Sequence, residues 1–165
     1  MKRREFIKNA GIISLASYVP ISNAAIQDTV ALSLNGNEII LDRVDILDFM
    51  ASFQGSVITK EHYDYDTARL VWNGVWNKHP ALIAFCESAA DIQQAINFSR
   101  EQNILTAIRG GGHSISGKST CDGGIIIDLS RMRKTGVDLQ RKIVTVEPGC
   151  TLYDLDSKTL PYGYV

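Results

Sequence analysis

Residues 80–114 read PALIAFCESAADIQQAINFSREQNILTAIRGGGHS, and the order of patterns in this stretch decides the architecture. It opens on a compact apolar run, residues 80–85. Ser88-Ala89-Ala90-Asp91 then has the S-x-x-D spacing of a capping box, in which a hydroxyl and a carboxylate satisfy the first unpaired N–H groups of a helix. Ile92, Ala95, Ile96 and Ser99 recur at i, i+3, i+4 and i+7 with Gln93, Gln94, Asn97 and Arg100 turned outward, which predicts a helix that covers a sheet and ends near Gln102-Asn103. A second apolar run, residues 104–108, follows as a strand. Strand, helix and strand make a βαβ unit. Its second strand delivers Arg109, Gly110, Gly111, Gly112 and His113 to its C-terminal end, where open α/β sheets bind their ligands.

Three consecutive glycines carry an entropic penalty, so their position ahead of a histidine needs a reason. One reading is a flexible turn. The other is that the missing side chains let successive backbone N–H groups approach an anion, with His113 aimed at the same ligand. Two nucleotide modes are excluded: G-K-[ST] is absent at the spacing of a Walker A loop, and G-x-G-x-x-G is absent here. What remains is a strand, a run of unobstructed amides, and His113, Ser114 and Ser116 in a loop closed by Gly117. Such a loop forms a concavity suited to a pyrophosphate, with the two serines as added hydroxyl donors.

Working outward, Cys121-Asp122-Gly123-Gly124 predicts a turn, with Asp122 in an Asx-type turn, and residues 125–129 a buried strand. Residues 142–147 alternate as a half-exposed strand should, and Leu139-Gln140-Arg141 pairs them with residues 136–138. Pro148-Gly149 stops that strand. Thr151, with Asp154 three residues on, predicts a capped helix through Leu152 and Leu155. Upstream, residues 25–75 read as a lead-in, with a short strand at 39–41 and a helix over 46–53. Asp122 and Asp128 are taken as structural rather than as an acid/base pair.

The chain has 165 residues, 45% hydrophobic and 21% charged, with a formal net charge of -1. That is ordinary globular composition without the basic footprint of a nucleic-acid binder. Cys86, Cys121 and Cys150 have no C-x-x-C spacing, which indicates neither a disulfide framework nor a zinc site; they read as buried small hydrophobes, and no metal is expected. Residues 1–24 carry a basic start, an apolar stretch and small residues at Ser22 and Ala24, the pattern of an export signal. Arg3-Arg4-Glu5-Phe6-Ile7-Lys8 is similar to the twin-arginine pattern, read by a bacterial translocase that carries folded cargo. The expected location is periplasmic or secreted. The apolar region, broken by Pro20, is too short for a stable membrane span.

Across a longer window, RGGGHSISGKSTCDGGIIIDLSRM resembles the opening of the flavin-binding domain of FAD-linked oxidases in the vanillyl-alcohol oxidase superfamily, specifically the berberine-bridge-enzyme-like group. The segment from Tyr65 to Asn73, then Pro80-Ala81-Leu82-Ile83 and Ala90-Asp91-Ile92, continue the resemblance upstream; Val137-Asp138 and residues 146–152 continue it downstream. The resemblance implies an α+β fold, the N-terminal part of a PCMH-type FAD-binding domain over residues 76–165, with βαβ units and a small mixed sheet. It implies that Arg109, Gly110, Gly111, Gly112, His113, Ser114 and Ile115 wrap the FAD pyrophosphate, with Ser116 and Gly117 closing the loop. It further implies that His113 is bonded through a ring nitrogen to the 8α-methyl carbon of the isoalloxazine. A second, cysteinyl tether of some relatives matches neither Cys121 nor Cys150, and no catalytic base is carried over. The function so implied is an exported oxidoreductase taking a hydride from an alcohol- or sugar-like small molecule, with oxygen as acceptor. The chain is read as a fragment that is inactive without the missing C-terminal part. The alternatives are a non-catalytic nucleotide-binding or scaffold domain, and a dehydrogenase holding FAD non-covalently.

Overall fold

A computed structural model describes residues 26–164; the expected export signal lies outside the described residues. The chain opens with a hairpin of β1 (Thr29–Leu32) and β2 (Glu38–Leu41), followed by helix α1 (Arg43–Ala51). Asp42 starts α1 earlier than the apolar pattern predicts, because its carboxylate accepts from the Val44 N–H at 2.7 Å. Strand β3 (Ser56–Thr59), the single-turn helix α2 (Tyr65–Ala68) and strand β4 (Leu82–Phe85) come next. Helix α3 (Ala89–Glu101) leads to β5 (Thr106–Arg109), and β6 (Ile125–Asp128) follows the glycine loop. A second hairpin, β7 (Thr135–Asp138) and β8 (Ile143–Val146), and helix α4 (Leu152–Thr159) complete the order before a 3-10 turn, Leu160–Tyr162.

The central sheet has the order β3-β4-β6-β5, with β3 antiparallel to β4 and the other pairings parallel. This is the small mixed sheet of the expected α+β class. The βαβ unit is present, yet its two strands are not neighbours: β6 lies between them. Ile125, Ile126 and Ile127 explain the insertion, since an uninterrupted apolar run is satisfied only where both faces are covered. One face carries Leu82, Ala84, Ile125 and Ile127 against α1, α3 and the first hairpin; the other carries Ile58, Ile83 and Ile126 against Tyr65 and Cys121.

Five local expectations are corrected. On α3, Ile96 is exposed and Phe98 is buried instead, because the larger ring stacks on Phe49 with centroids 4.3 Å apart and rotates the buried face toward itself. Only half of the predicted box at its start forms: Ser88 Oγ accepts from the Asp91 N–H at 3.2 Å, while the buried Asp91 carboxylate accepts from the N–H groups of Gln54 at 2.8 Å and Glu87 at 2.9 Å. Asp122 makes no Asx turn; its carboxylate accepts from the N–H of His79 at 2.8 Å and closes the loop onto the start of β4. The strand predicted from residue 104 begins at Thr106, since Ile104 bridges Ser33 of the first hairpin. Cys86 and Cys121 are buried as expected, but Cys150 is only half-buried, its thiol 3.4 Å from both the Lys134 carbonyl and Thr135 Oγ1.

Candidate functional site

Because β5 and β6 run parallel, their last residues, Arg109 and Asp128, meet in register. Both are buried and form an ion pair. The second Asp128 oxygen accepts from the Ser130 hydroxyl and, at 2.9 Å, from the Ser130 N–H. The rest of the Arg109 guanidinium donates to the carbonyls of Ala68 at 2.7 Å and Leu70 at 3.3 Å. The side chain expected on a cofactor is therefore turned into the protein, where it ties both strand ends to the segment after α2. Asp128 is structural, as the sequence suggested.

From this anchor neighbouring segments hold the loop at several points. A Cβ on Gly110 would stand 2.9 Å from the Pro148 carbonyl oxygen, so the turn after β8 backs directly onto the loop. Gly112 has φ of +71°, a left-handed conformation that favours glycine, and its carbonyl accepts from the Trp72 N–H at 3.2 Å. The His113 ring lies between two surfaces. Trp72 faces it with centroids 5.4 Å apart and planes at 37°, and a Cβ on Gly111 would come within 2.9 Å of His113 Cδ2.

Ser114 contributes its carbonyl to the Gly117 N–H at 3.2 Å and its hydroxyl to the Lys118 N–H at 3.1 Å. Ser116 Oγ lies 3.5 Å from Ser114 Oγ. The Ile115 side chain is exposed, while its carbonyl accepts from Trp76 Nε1 at 2.9 Å. Gly117, at φ +66°, lies so close to Trp76 that a Cβ would stand 2.3 Å from the ring.

The loop is thus polarised. The carbonyls of Gly112, Ser114 and Ile115 are taken by protein donors, whereas among the described residues the N–H groups of Gly110 through Ser116 donate to no protein acceptor. Seven successive unpaired donors beside His113, at the C-terminal ends of two parallel strands, fit a diphosphate group. The two buried thiols are not poised as nucleophiles. Burial pushes the Cys86 thiol up to about 12 and the Cys121 thiol up to about 11, so both stay protonated at neutral pH. Burial also raises Tyr65, to about 12, and its hydroxyl donates to the Pro80 carbonyl at 2.7 Å. Among the described residues no group of acidic, histidine and cysteine side chains could hold a metal ion, and no helix is long and apolar enough to cross a membrane.

Sequence reasoning missed Trp72, Trp76, Lys78 and Pro148 as parts of the site. The one available signal was that both tryptophans of the chain fall four residues apart in a stretch without helical or strand periodicity.

Comparison with known proteins gives one family. Residues 80–165 match the profile of the FAD binding domain. An FAD-linked oxidoreductase of Dictyostelium discoideum is 38% identical over 117 residues, covering 70% of this chain and 25% of that protein. The (R)-6-hydroxynicotine oxidase of Paenarthrobacter nicotinovorans is 30% identical over 112 residues, covering 68% of this chain and 24% of that protein. The crystal structure of 6-hydroxy-D-nicotine oxidase from Arthrobacter nicotinovorans aligns with a TM-score of 0.65 at 30% identity, over 68% of this chain and 25% of that one. A berberine-bridge-enzyme-like protein of Physcomitrella patens shares the fold, with a TM-score of 0.66 at 23% identity, over 72% of this chain and 26% of that one. The chain spans about a quarter of the length of the curated relatives it matches.

Proposed function

The chain belongs to the FAD-binding domain family of FAD-linked oxidoreductases, and from that premise we propose that the loop from Gly110 to Gly117 receives the FAD diphosphate while His113 carries the flavin covalently. The observation behind this reading is the row of unpaired N–H groups from Gly110 to Ser116 with the His113 ring held beside it. The amides bind, Gly111 and Trp72 orient the imidazole, and a ring nitrogen of His113 supplies the bond to the 8α-methyl carbon. Arg109 acts behind the loop, through Asp128 and the segment after α2. When bound, the flavin supplies hydride acceptance from an alcohol- or sugar-like carbon and return of the electrons to oxygen. The oxidase named among the relatives supports oxygen as acceptor. The same proposal includes export in folded form, because a covalent tether prevents loss of the cofactor after translocation.

The test is mass spectrometry of the peptide containing His113 from the complete, flavin-loaded protein. The expected mass is that of the peptide plus flavin. In the His113→Ala variant this adduct disappears, while FAD still binds through the backbone amides that the substitution leaves in place. An unmodified His113 peptide from yellow wild-type protein overturns the tether, and a complete protein that takes up no FAD overturns the binding site.

A further inference from the structure

Between α2 and β4 the chain crosses the outside of the loop without regular structure, and its donors meet the loop carbonyls one after another. The Trp72 N–H donates to Gly112, Trp76 Nε1 to Ile115 at 2.9 Å, and Lys78 Nζ to Gly117 at 3.5 Å and Thr120 at 3.4 Å. The Lys78 ammonium also lies 5.3 Å from the Trp76 ring centroid. Both ends of this crossing are fastened. Arg109 grips the carbonyls of Ala68 and Leu70, and Arg69 pairs with Asp66 at 2.8 Å while reaching the Lys78 carbonyl at 3.3 Å.

We infer that residues 69–78 form a strap that sets the polarity of the cofactor loop before any ligand arrives, with Trp76 as its main positioning residue. The inference rests on the FAD reading of the loop. A peptide unit whose carbonyl is drawn outward must turn its N–H the other way, so the bonds to Gly112 and Ile115 aim the N–H groups of His113 and Ser116 at the diphosphate position, while the Lys78 bonds fasten the end of the loop. A glycine-rich loop otherwise loses more conformational entropy on binding than any other kind, and ordering it in advance removes that loss from the binding step. Trp76 holds the loop twice, through the indole bond to Ile115 and through a ring seated on Gly117 so closely that no Cβ fits between them.

The test uses the complete protein in a His113→Ala background, where FAD binding is reversible. Trp76→Phe keeps a ring against Gly117 but removes the indole donor. Two quantities are read: the dissociation constant for FAD, and hydrogen exchange of the peptide spanning residues 109–118 in flavin-free protein. The expected results are about fivefold weaker FAD binding, the effect of one lost hydrogen bond, and exchange faster by about the same factor, with the thermal midpoint of the rest of the fold retained. Lys78→Met, which removes the bonds to Gly117 and Thr120, carries the same expectations should Trp76→Phe fail to fold. Unchanged affinity and exchange in a folded variant overturn the strap. Failure of the parent protein to bind FAD overturns the cofactor reading instead, and the exchange measurement still decides the strap.

Discussion

At the scale of single residues, the site depends on side chains that are absent as much as on those present. Gly111→Ala places a methyl carbon 2.9 Å from His113 Cδ2, inside van der Waals contact, so the ring must turn or the loop must shift. The backbone donors survive this change. The expected outcome is retained FAD with a lower fraction of flavin in the acid-precipitated pellet, measured as the ratio of pellet to total absorbance; an unchanged ratio removes Gly111 from the orientation of His113. Arg109 makes a different prediction, because its substitution strands a charge. Arg109→Met leaves the Asp128 carboxylate buried without its cation and should destabilise the fold by about 3–5 kcal/mol, read as a fall in the denaturation midpoint. A variant as stable as wild type would contradict the anchoring role. The glycines and His113 were legible in the sequence because they are contiguous. The partners of Arg109 were not, since Asp128 lies 19 residues later and the carbonyls it grips 39 and 41 residues earlier; such distances close only in the folded chain.

At the scale of elements, the two predicted capping boxes had the same spacing and different outcomes. Thr151 and Asp154 form the reciprocal box at the start of α4, with the Thr151 N–H donating to Asp154 Oδ2 at 2.7 Å and the Asp154 N–H to Thr151 Oγ1 at 3.3 Å. At α3, Asp91 is drawn away by the N–H groups of Gln54 and Glu87, and Gln54 belongs to a segment that local spacing cannot see. Helix faces follow the same rule: periodicity located α3, but the choice between Ile96 and Phe98 was made by Phe49 on another helix. The α4 box carries a pH prediction. Hydrogen bonds from the Thr151 N–H and hydroxyl, together with Arg133, hold the Asp154 carboxyl at about 2, below its ordinary value of 3.8. A depressed carboxyl favours the folded state at pH above its unfolded value, and that contribution fades as the pH falls toward 2. Denaturation midpoints measured between neutral pH and pH 2 should therefore differ between wild type and Asp154→Asn at neutrality and converge in acid. A constant difference across that range would remove the titration from the account. Thr151→Ala should cost about 1 kcal/mol at neutral pH.

At the scale of the molecule, the doubly covered sheet and the loop at its C-terminal edge form one mechanical unit. Arg109 and Asp128 end adjacent strands, the strap is gripped by Arg109, and Pro148 backs onto Gly110 from beyond the second hairpin. The loop can adopt its polarised form only when segments from Ala68 to Pro148 are already in place, so cofactor binding follows folding of the chain between them. A secretion route that threads unfolded polypeptide would separate this assembly from the cytoplasmic supply of FAD, whereas a translocase for folded cargo would not. The paired arginines at positions 3 and 4 fit the second route. Replacing Arg3 and Arg4 with lysines keeps the charge but breaks the paired-arginine pattern. Under the proposed export in folded form, the expected result is a precursor of undiminished mass in the cytoplasmic fraction, yellow and carrying flavin on its His113 peptide. Cell fractionation with mass spectrometry reads location, leader and flavin together. Processed protein outside the cytoplasm at the wild-type level would exclude this route. A retained precursor without flavin would instead show that loading follows export, and would reverse the order of events that the assembly of the loop dictates.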